Sequence, residues 1–506
     1  MRRLLLFLVL CAALPAAANE RNTEGVGLTV YSAPAQNQYN QYNQQQYWNP
    51  ATQRWEQLPG GYAVVKDYRK LTLQKGANTI RFTDVARLID ATTVHFSSLA
   101  DPKGTAVVEQ SFEYDLVSAD KLLSKYIDKA VTLVLAGDKV VKGTLMSFDG
   151  AQIVLKTDDP SEPIQVVQRA DNVRNIRFGA LPQDLITKPT LVWLLDAAKA
   201  GEQLVKVTYQ TNGMSWNADY TAVIAKDDKA IDLSAWVTIT NQSGAGYKDA
   251  DLKLVAGDVH RVTPVASTET TVTADKDAED DHRAGGFQEK SFFEYHMYTL
   301  GRRTSIPDSS IKQIELFTPA LGVPASKVFV YRGGNPWSDY GSPEMDQGYG
   351  VTGNKKVDIF LEFQNGQKQG LGIPLPAGRV RVYKLDDADN SLEFIGEDQI
   401  DHTPKDEKVR LRLGNAFDIV GERKQTDFKV DYDAHWLVES FEVKIRNHKQ
   451  EDVEVLVLES MVRWVNWSID KKSADYQKQD AHNVIFPLKV KKDGETVLTY
   501  TVRYTW

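Results

Sequence analysis

Residues 497–506 read VLTYTVRYTW. Apolar residues fall at every second position back from the end: Trp506, Tyr504, Val502, Tyr500 and Leu498, with Thr505, Arg503, Thr501 and Thr499 between them. A period of two belongs to a strand with one apolar face. Outer-membrane barrels often end in such a strand, closed by an aromatic residue, so the fold turns on whether other segments can match it. A barrel strand needs about ten residues, with about five facing lipid. KVRLRLG (408–414) offers Val409, Leu411 and Leu413, and FEVKIRN (441–447) offers Phe441, Val443 and Ile445. Three alternate positions cover only about 13 Å. VEVLVLES (453–460) is apolar on both faces, like a strand covered on both sides and unlike one facing a wet lumen. The terminal segment is therefore read as the last strand of a soluble β-sandwich, with an outer-membrane β-barrel as the less favoured reading.

The same alternation recurs in VDIFLEF (357–363) and IDLSAWVTIT (231–240), and Asp149-Gly150, Asn365-Gly366 and Asp493-Gly494 mark turns. The expected class is all-β, with multi-domain β-sandwiches. One short helix is expected at 118–127, with Ser118 as N-cap and Leu122, Leu123, Tyr126 and Ile127 on one face. LVWLL (191–195) fits strand or helix, and its β-rich surroundings favour strand. Five short strands are expected near 131–135, 139–146, 151–157, 164–168 and 173–178. They suit a small barrel resembling the Sm-like or SH3-like fold, or a plain meander packed on a neighbour.

A chain of 506 residues exceeds one ordinary core. A formal charge of −8 disfavours nucleic acid, which calls for clustered Lys and Arg. Arg2 and Arg3, the apolar run 4–14, Pro15 and Ala16-Ala17-Ala18 read as a secretory signal cut after Ala18. Cys11, the one cysteine, lies inside that run, so the mature chain is expected to hold no disulfide and no thiolate metal site. No later apolar run reaches about 18 residues, the length of a transmembrane helix. The expected divisions are a signal peptide (1–18), an N-terminal β-domain (19–117), a helix plus small barrel (118–180), a middle β-domain (181–260), an acidic linker (261–290) and a C-terminal sandwich (291–506). The stretch 262–290 holds seven acids against three bases and few large apolar side chains.

Two segments supply candidate binding residues. QNQYNQYNQQQYW (36–48) lacks aliphatic side chains and reads as a mobile, self-associating loop carrying Tyr39, Tyr42, Tyr47 and Trp48. YRGGNPWSDYGSPEMDQGYG (331–350) brings Trp337 and Tyr340 around Asp339, with Glu344 nearby. Rings stack on sugars while carboxylates accept hydroxyl hydrogen bonds, so a carbohydrate contact or an acid pair is one reading. Aromatics folding back over the sheet is the favoured one. Phosphate-loop, HExxH and GxSxG signatures are missing, and the eight histidines are scattered, with His282 and His296, like His435 and His448, too far apart for a local ligand pair on one element. No catalytic residue, metal or cofactor is assigned. Trp216, Trp236, Trp464 and Trp467 lie in strand-like contexts and are read as core.

MSWNADYTAVI (214–224), SAWVTITNQSGAGYKDADLKLVAGDV (234–259), FEYHMYTLGRRTSIPDSSIKQIELF (293–317), GIPLPAGRVRVY (372–383) and the closing YTVRYTW resemble a bacterial domain-of-unknown-function family, some members of which are labelled mucoidy-inhibitor-like. The resemblance covers roughly residues 180–506 and implies a secreted, β-rich envelope protein, with no catalytic residues to carry over. The N-terminal third has no heptads and so differs from members with a long coiled-coil insertion. Within these blocks NQSGAGY reads as a hairpin turn, and Pro374, Pro376 and Gly378 as the punctuation of a strand start. The expected role is non-catalytic: a structural or binding protein of the periplasm or cell surface, partnered by an envelope protein or polysaccharide, with peripheral membrane association open. A hydrolase of envelope polysaccharide is the alternative.

Overall fold

The computed structural model describes residues 23–32, 46–49, 54–57, 59–113, 119–179, 188–257, 259, 287–334, 341–351, 353–386 and 388–506, with backbone only for 46–49, 54–57 and 171. Strands dominate, as the alternation implies, and the sheets are open. Among the described residues no helix is long and apolar enough to cross a membrane, which says nothing of spanning by strands. The chain divides into two compact units: Met1–Trp216 with Ile239–Val255 and Arg302–Lys312, and Asn217–Thr238 with Ala256–Gly301 and Gln313–Trp506.

In the first unit Tyr62–Leu73 lies between Gly25–Tyr31 and Gly201–Asn212, antiparallel to both. Thr190–Ala197 is a strand, held between Gly76–Thr83 and Thr105–Glu113. Its period of two buries Leu191, Trp193 and Leu195 on one face. The Trp193 indole donates to Gln110 Oε1 at 2.8 Å, which removes the cost of burying its N–H.

The five expected short strands are present as Ala130–Leu135, Val140–Phe148, Gln152–Lys156, Ile164–Gln168 and Val173–Phe178. They form one sheet that is open rather than closed, with Ile164–Gln168 and Val173–Phe178 at its edges. The Asp149 carboxylate accepts the amides of Ala151 and Gln152 and so shapes the turn between the second and third strands. Helix Ala119–Lys125 contributes Leu123, and Tyr126 follows, to a separate core with Leu133, Leu145, Ile153 and Leu155. Ser118 lies outside the described residues, and Ile127 is exposed, because the helix ends before it.

In the second unit the terminal strand Gly494–Thr505 pairs with Trp436–Asn447 over twelve positions, from Asn447↔Gly494 to Trp436↔Thr505. Trp467–Lys472 pairs on its other side. Leu498, Tyr500, Val502 and Tyr504 are buried. Tyr500 stacks between Phe441 (5.3 Å) and Phe486 (5.5 Å). The apolar face of the closing strand thus meets its own unit's core, each buried side chain stabilising by about 1.5–3 kcal/mol. Val453–Ser460 pairs in parallel with Ser310–Arg332 and antiparallel with Asn483–Val490, the central position that its two apolar faces imply.

Four expectations need correction. NQSGAGY is not a hairpin turn: Tyr247–Ala256 leaves the sheet of Ala230–Asn241 and pairs in parallel with Gly25–Tyr31. Trp236 is 44% exposed, because Ala235 and Val237 take the inward phase of its strand. Tyr47 and Trp48 are not in a loop but in strand Gln46–Asn49, paired with Arg54–Gln57, since the RWEQ segment supplies a partner ladder. The last residues of the expected linker, 287–290, begin strand Phe287–Phe292, which pairs with Tyr295–Leu300. Trp216 is buried and donates to the Val255 carbonyl, and Trp464 and Trp467 pack against the core.

Candidate functional site

The segment following strand Ser310–Arg332 is built around two buried arginines from elsewhere in the second unit. Arg463 donates from Nε to Glu439 Oε2 at 2.8 Å. Its other nitrogens reach three carbonyls of the loop: Glu344 (3.2 Å), Asp346 (2.8 Å) and Tyr349 (3.0 Å). The Glu344 amide returns a bond to the Arg463 carbonyl at 2.9 Å. Arg423 donates from Nε to Glu459 Oε2 (2.9 Å), from Nη1 to the Gly350 carbonyl (2.8 Å) and from Nη2 to the Tyr500 hydroxyl (3.4 Å). Both ion pairs are almost wholly removed from solvent. Loop 341–350 is therefore fastened through its carbonyls, the groups a non-repetitive segment would otherwise leave unpaired.

Gly333 of YRGG, Gly353 and Gly421 follow from this packing. A Cβ on Gly333 would lie 2.6 Å from Arg423 Cδ, and one on Gly353 would lie 3.3 Å from the Arg423 carbonyl. A Cβ on Gly421 would overlap the Tyr331 ring, whose hydroxyl donates to the Asn354 carbonyl at 2.6 Å.

Burial alone would lower the Arg423 pKa, but the Glu459 carboxylate and Tyr500 outweigh it, so the guanidinium stays charged. Burial, then the Glu459 charge, pushes the Tyr500 phenol well above its ordinary range. That phenol donates to Glu459 Oε2 at 2.6 Å. Glu459 Oε1 is buried with no hydrogen-bond partner among the described residues.

An open depression of about 480 Å³ lies where Gln347, Gly348 and Val351 face Arg423, Lys424 and Gln425. Of the residues singled out from the sequence, Glu344 stands beside it in chain order, with its carboxylate accepting the Asp346 amide at 2.9 Å. That makes Glu344 a turn-forming group. Trp337, Asp339, Tyr340, Tyr39 and Tyr42 lie outside the described residues, and Tyr47 and Trp48 are described by backbone alone. Among the described residues no group of three His, Cys, Asp or Glu side chains converges as a metal-ligand set.

Sequence reading missed Arg423, Arg463, Glu439 and Glu459. For all but Arg463 the signal is charge on the inward phase of an apolar alternation. Glu439 shares the phase of Leu437, Phe441 and Val443, and Glu459 that of Val453, Val455 and Val457.

A second set of buried groups shapes the same unit. Tyr220 and Tyr298 donate to the carbonyls of Pro376 (2.7 Å) and Pro374 (2.9 Å), fixing GIPLPAG before strand Gly378–Leu385. A side chain at Gly378 would overlap the Ala218 carbonyl, because strand Met214–Ile224 runs alongside in parallel.

No curated protein and no solved structure matches the chain. The profile of the domain of unknown function DUF4139 matches residues 205–506, which include the whole fastened loop and both arginine–glutamate pairs, and the chain belongs to that family.

Proposed function

We propose that the chain is a non-catalytic bacterial envelope protein, secreted across the inner membrane and acting in the periplasm or at the cell surface as a structural or binding component. One observation carries the reading. The charged groups around the candidate loop are engaged in holding it, Arg463 through three carbonyls and Glu344 through the Asp346 amide. Groups committed in this way make the loop a fixed surface rather than a set of free side chains. The signal-like first eighteen residues and the family resemblance support the compartment.

Expressed with its own N-terminus, the protein should be recovered from the periplasmic or surface fraction with Asn19 as its first residue. An intact N-terminus in a cytoplasmic fraction would overturn the assignment. Deletion of residues 36–48 should weaken association with isolated envelopes, and equal association would remove that segment's role. Release of product from a glycan panel by purified protein, abolished in Asp339→Asn, would replace this reading by the hydrolase.

A further inference from the structure

The outward face of the second unit's sheet joins Leu392–Ile400, Gly378–Leu385, Met214–Ile224, Ala230–Asn241 and Ser310–Arg332, in that order of pairing. In Met214–Ile224 the buried positions Ala218, Tyr220, Ala222 and Ile224 leave Asp219, Thr221 and Val223 pointing outward. Register carries that face sideways: Asp219 pairs with Arg379, Thr221 with Arg381 and Val223 with Tyr383. These continue to Gln399, Glu397 and Phe394. On the other side Thr238 donates to Asp219 Oδ2 at 2.7 Å, and Trp236 shares the Thr238 phase. Gln313 donates to Thr238 at 3.1 Å, and Glu315 and half-buried Phe317 follow at alternate positions.

The face is thus a band with rings at its ends and polar groups between. Trp236 is 44% exposed and Phe394 is 54% exposed. Tyr383 meets Phe394 edge-on at 5.7 Å. Trp236 and Tyr383 are separated by two strand spacings and about four residues, roughly 16 Å. Between them Arg379 and Arg381 stand 3.5 and 3.6 Å from Asp219, and Arg381 stands 3.7 Å from Glu397. These separations are too long for good hydrogen bonds, so guanidinium donors remain for a ligand. The Trp236 indole N–H likewise has no partner among the described residues.

We propose that this face binds a neutral polysaccharide chain. The apolar face of a sugar ring stacks on an exposed aromatic ring. Its hydroxyls can donate to Glu397 and accept from Arg379, Arg381 and the Trp236 indole, while Asp219, largely buried and accepting from Thr238 and Asn217, holds the two arginines in place. Acids on the face, including Asp232 and Glu315, outnumber the two arginines, so the surface has no excess positive charge to attract an acidic polymer. The inference rests on the reading of the chain as a binding protein and names the class of its ligand.

The test is affinity electrophoresis of the purified full chain in gels containing β-glucan, galactomannan or xyloglucan, with polygalacturonate as the acidic comparison. Wild type should be retarded by at least one neutral polymer. Trp236→Ala and Phe394→Ala should each weaken the affinity about tenfold, with circular dichroism unchanged. Both side chains are exposed, so neither variant is expected to disturb the core. Retardation by polygalacturonate alone, by no neutral polymer, or equally in wild type and both variants overturns the proposal. Sedimentation with isolated envelopes separates the two readings. Equal sedimentation of all three proteins sinks the glycan face and leaves envelope binding standing, whereas failure of wild type to sediment sinks both.

Discussion

Arg463 shows how one side chain decides the course of a loop far from it in sequence. Its partner Glu439 is buried, and its remaining donors close three carbonyls that have few other routes to satisfaction. Replacing one member of a buried pair leaves the other as an uncompensated charge. Arg463→Met should therefore destabilise by about 3–5 kcal/mol, read as a lower urea midpoint. Adding Glu439→Leu should return part of that loss, because the stranded carboxylate is removed along with its partner. A single variant as stable as wild type would mean that the pair is solvated. Glu439 sits in phase with apolar neighbours on its strand, whereas Arg463 follows the end of Val453–Ser460, so the sequence pattern marks only one member of the pair and does not name its partner.

At the scale of the element, three asparagines mark where strands end and the chain changes direction: TITNQS (238–243), LEFQNG (361–366) and KIRNHK (444–449). Each asparagine is buried. Asn241 donates to the carbonyls of Ala245 and Pro307, both at 2.8 Å. Asn365 donates to those of Ile373 (2.7 Å) and Pro404 (2.9 Å), and Asn447 to those of Glu451 (2.8 Å) and Lys491 (3.0 Å). Their side-chain oxygens accept amides of the following turn, as Asn447 does from Lys449 at 3.0 Å. After two of these corners, at Asn241 and Asn447, the next strand pairs in parallel with a distant partner instead of folding back. A turn marker read locally looks like a hairpin, which is why NQSGAGY misleads. Asn447→Ala should cost about 1–3 kcal/mol, since it removes the buried amide that donates to the part-buried carbonyls of Glu451 and Lys491. Asn447→Asp should lose stability too, because a carboxylate cannot donate. Equilibrium denaturation of both variants checks this.

For the whole molecule, buried tyrosines couple stability to alkaline pH. Burial pushes the phenols of Tyr209, Tyr220, Tyr500 and Tyr504 well above their ordinary value. The unfolded chain releases these protons near pH 10, while the folded state retains them. Their contribution is therefore fully present below about pH 10 and is lost as pH rises from there towards the folded values. Stability should fall steeply above about pH 10, with tyrosinate absorbance rising together with the loss of near-ultraviolet circular dichroism. Ionisation of these phenols well before unfolding would contradict the burial.

The period of two determined the all-β class, because alternation depends only on which side of the backbone a residue occupies. The strand at 190–197 was favoured only by its β-rich surroundings, LVWLL itself fitting strand or helix. The apolar pattern also pointed to a central place in the sheet for Val453–Ser460, which has a paired strand on each side, although Glu454 and Leu456 on one of its faces are not fully buried. Pairing partners, the corners at Asn241 and Asn447, and the joining of Arg423 to Glu459 and Arg463 to Glu439 were decided only by the tertiary structure. Each brings together groups tens of residues apart, and no local pattern ranks one distant partner over another. The same holds for Trp236. Alternation places it opposite Ala235 and Val237, but only the neighbouring strands, with Arg379, Arg381, Tyr383 and Phe394 in register, make its side of the sheet a surface rather than a core. The closing VLTYTVRYTW needed both. Its sequence specified one apolar face, and the packing of Phe441 and Phe486 on Tyr500 directed that face to the core.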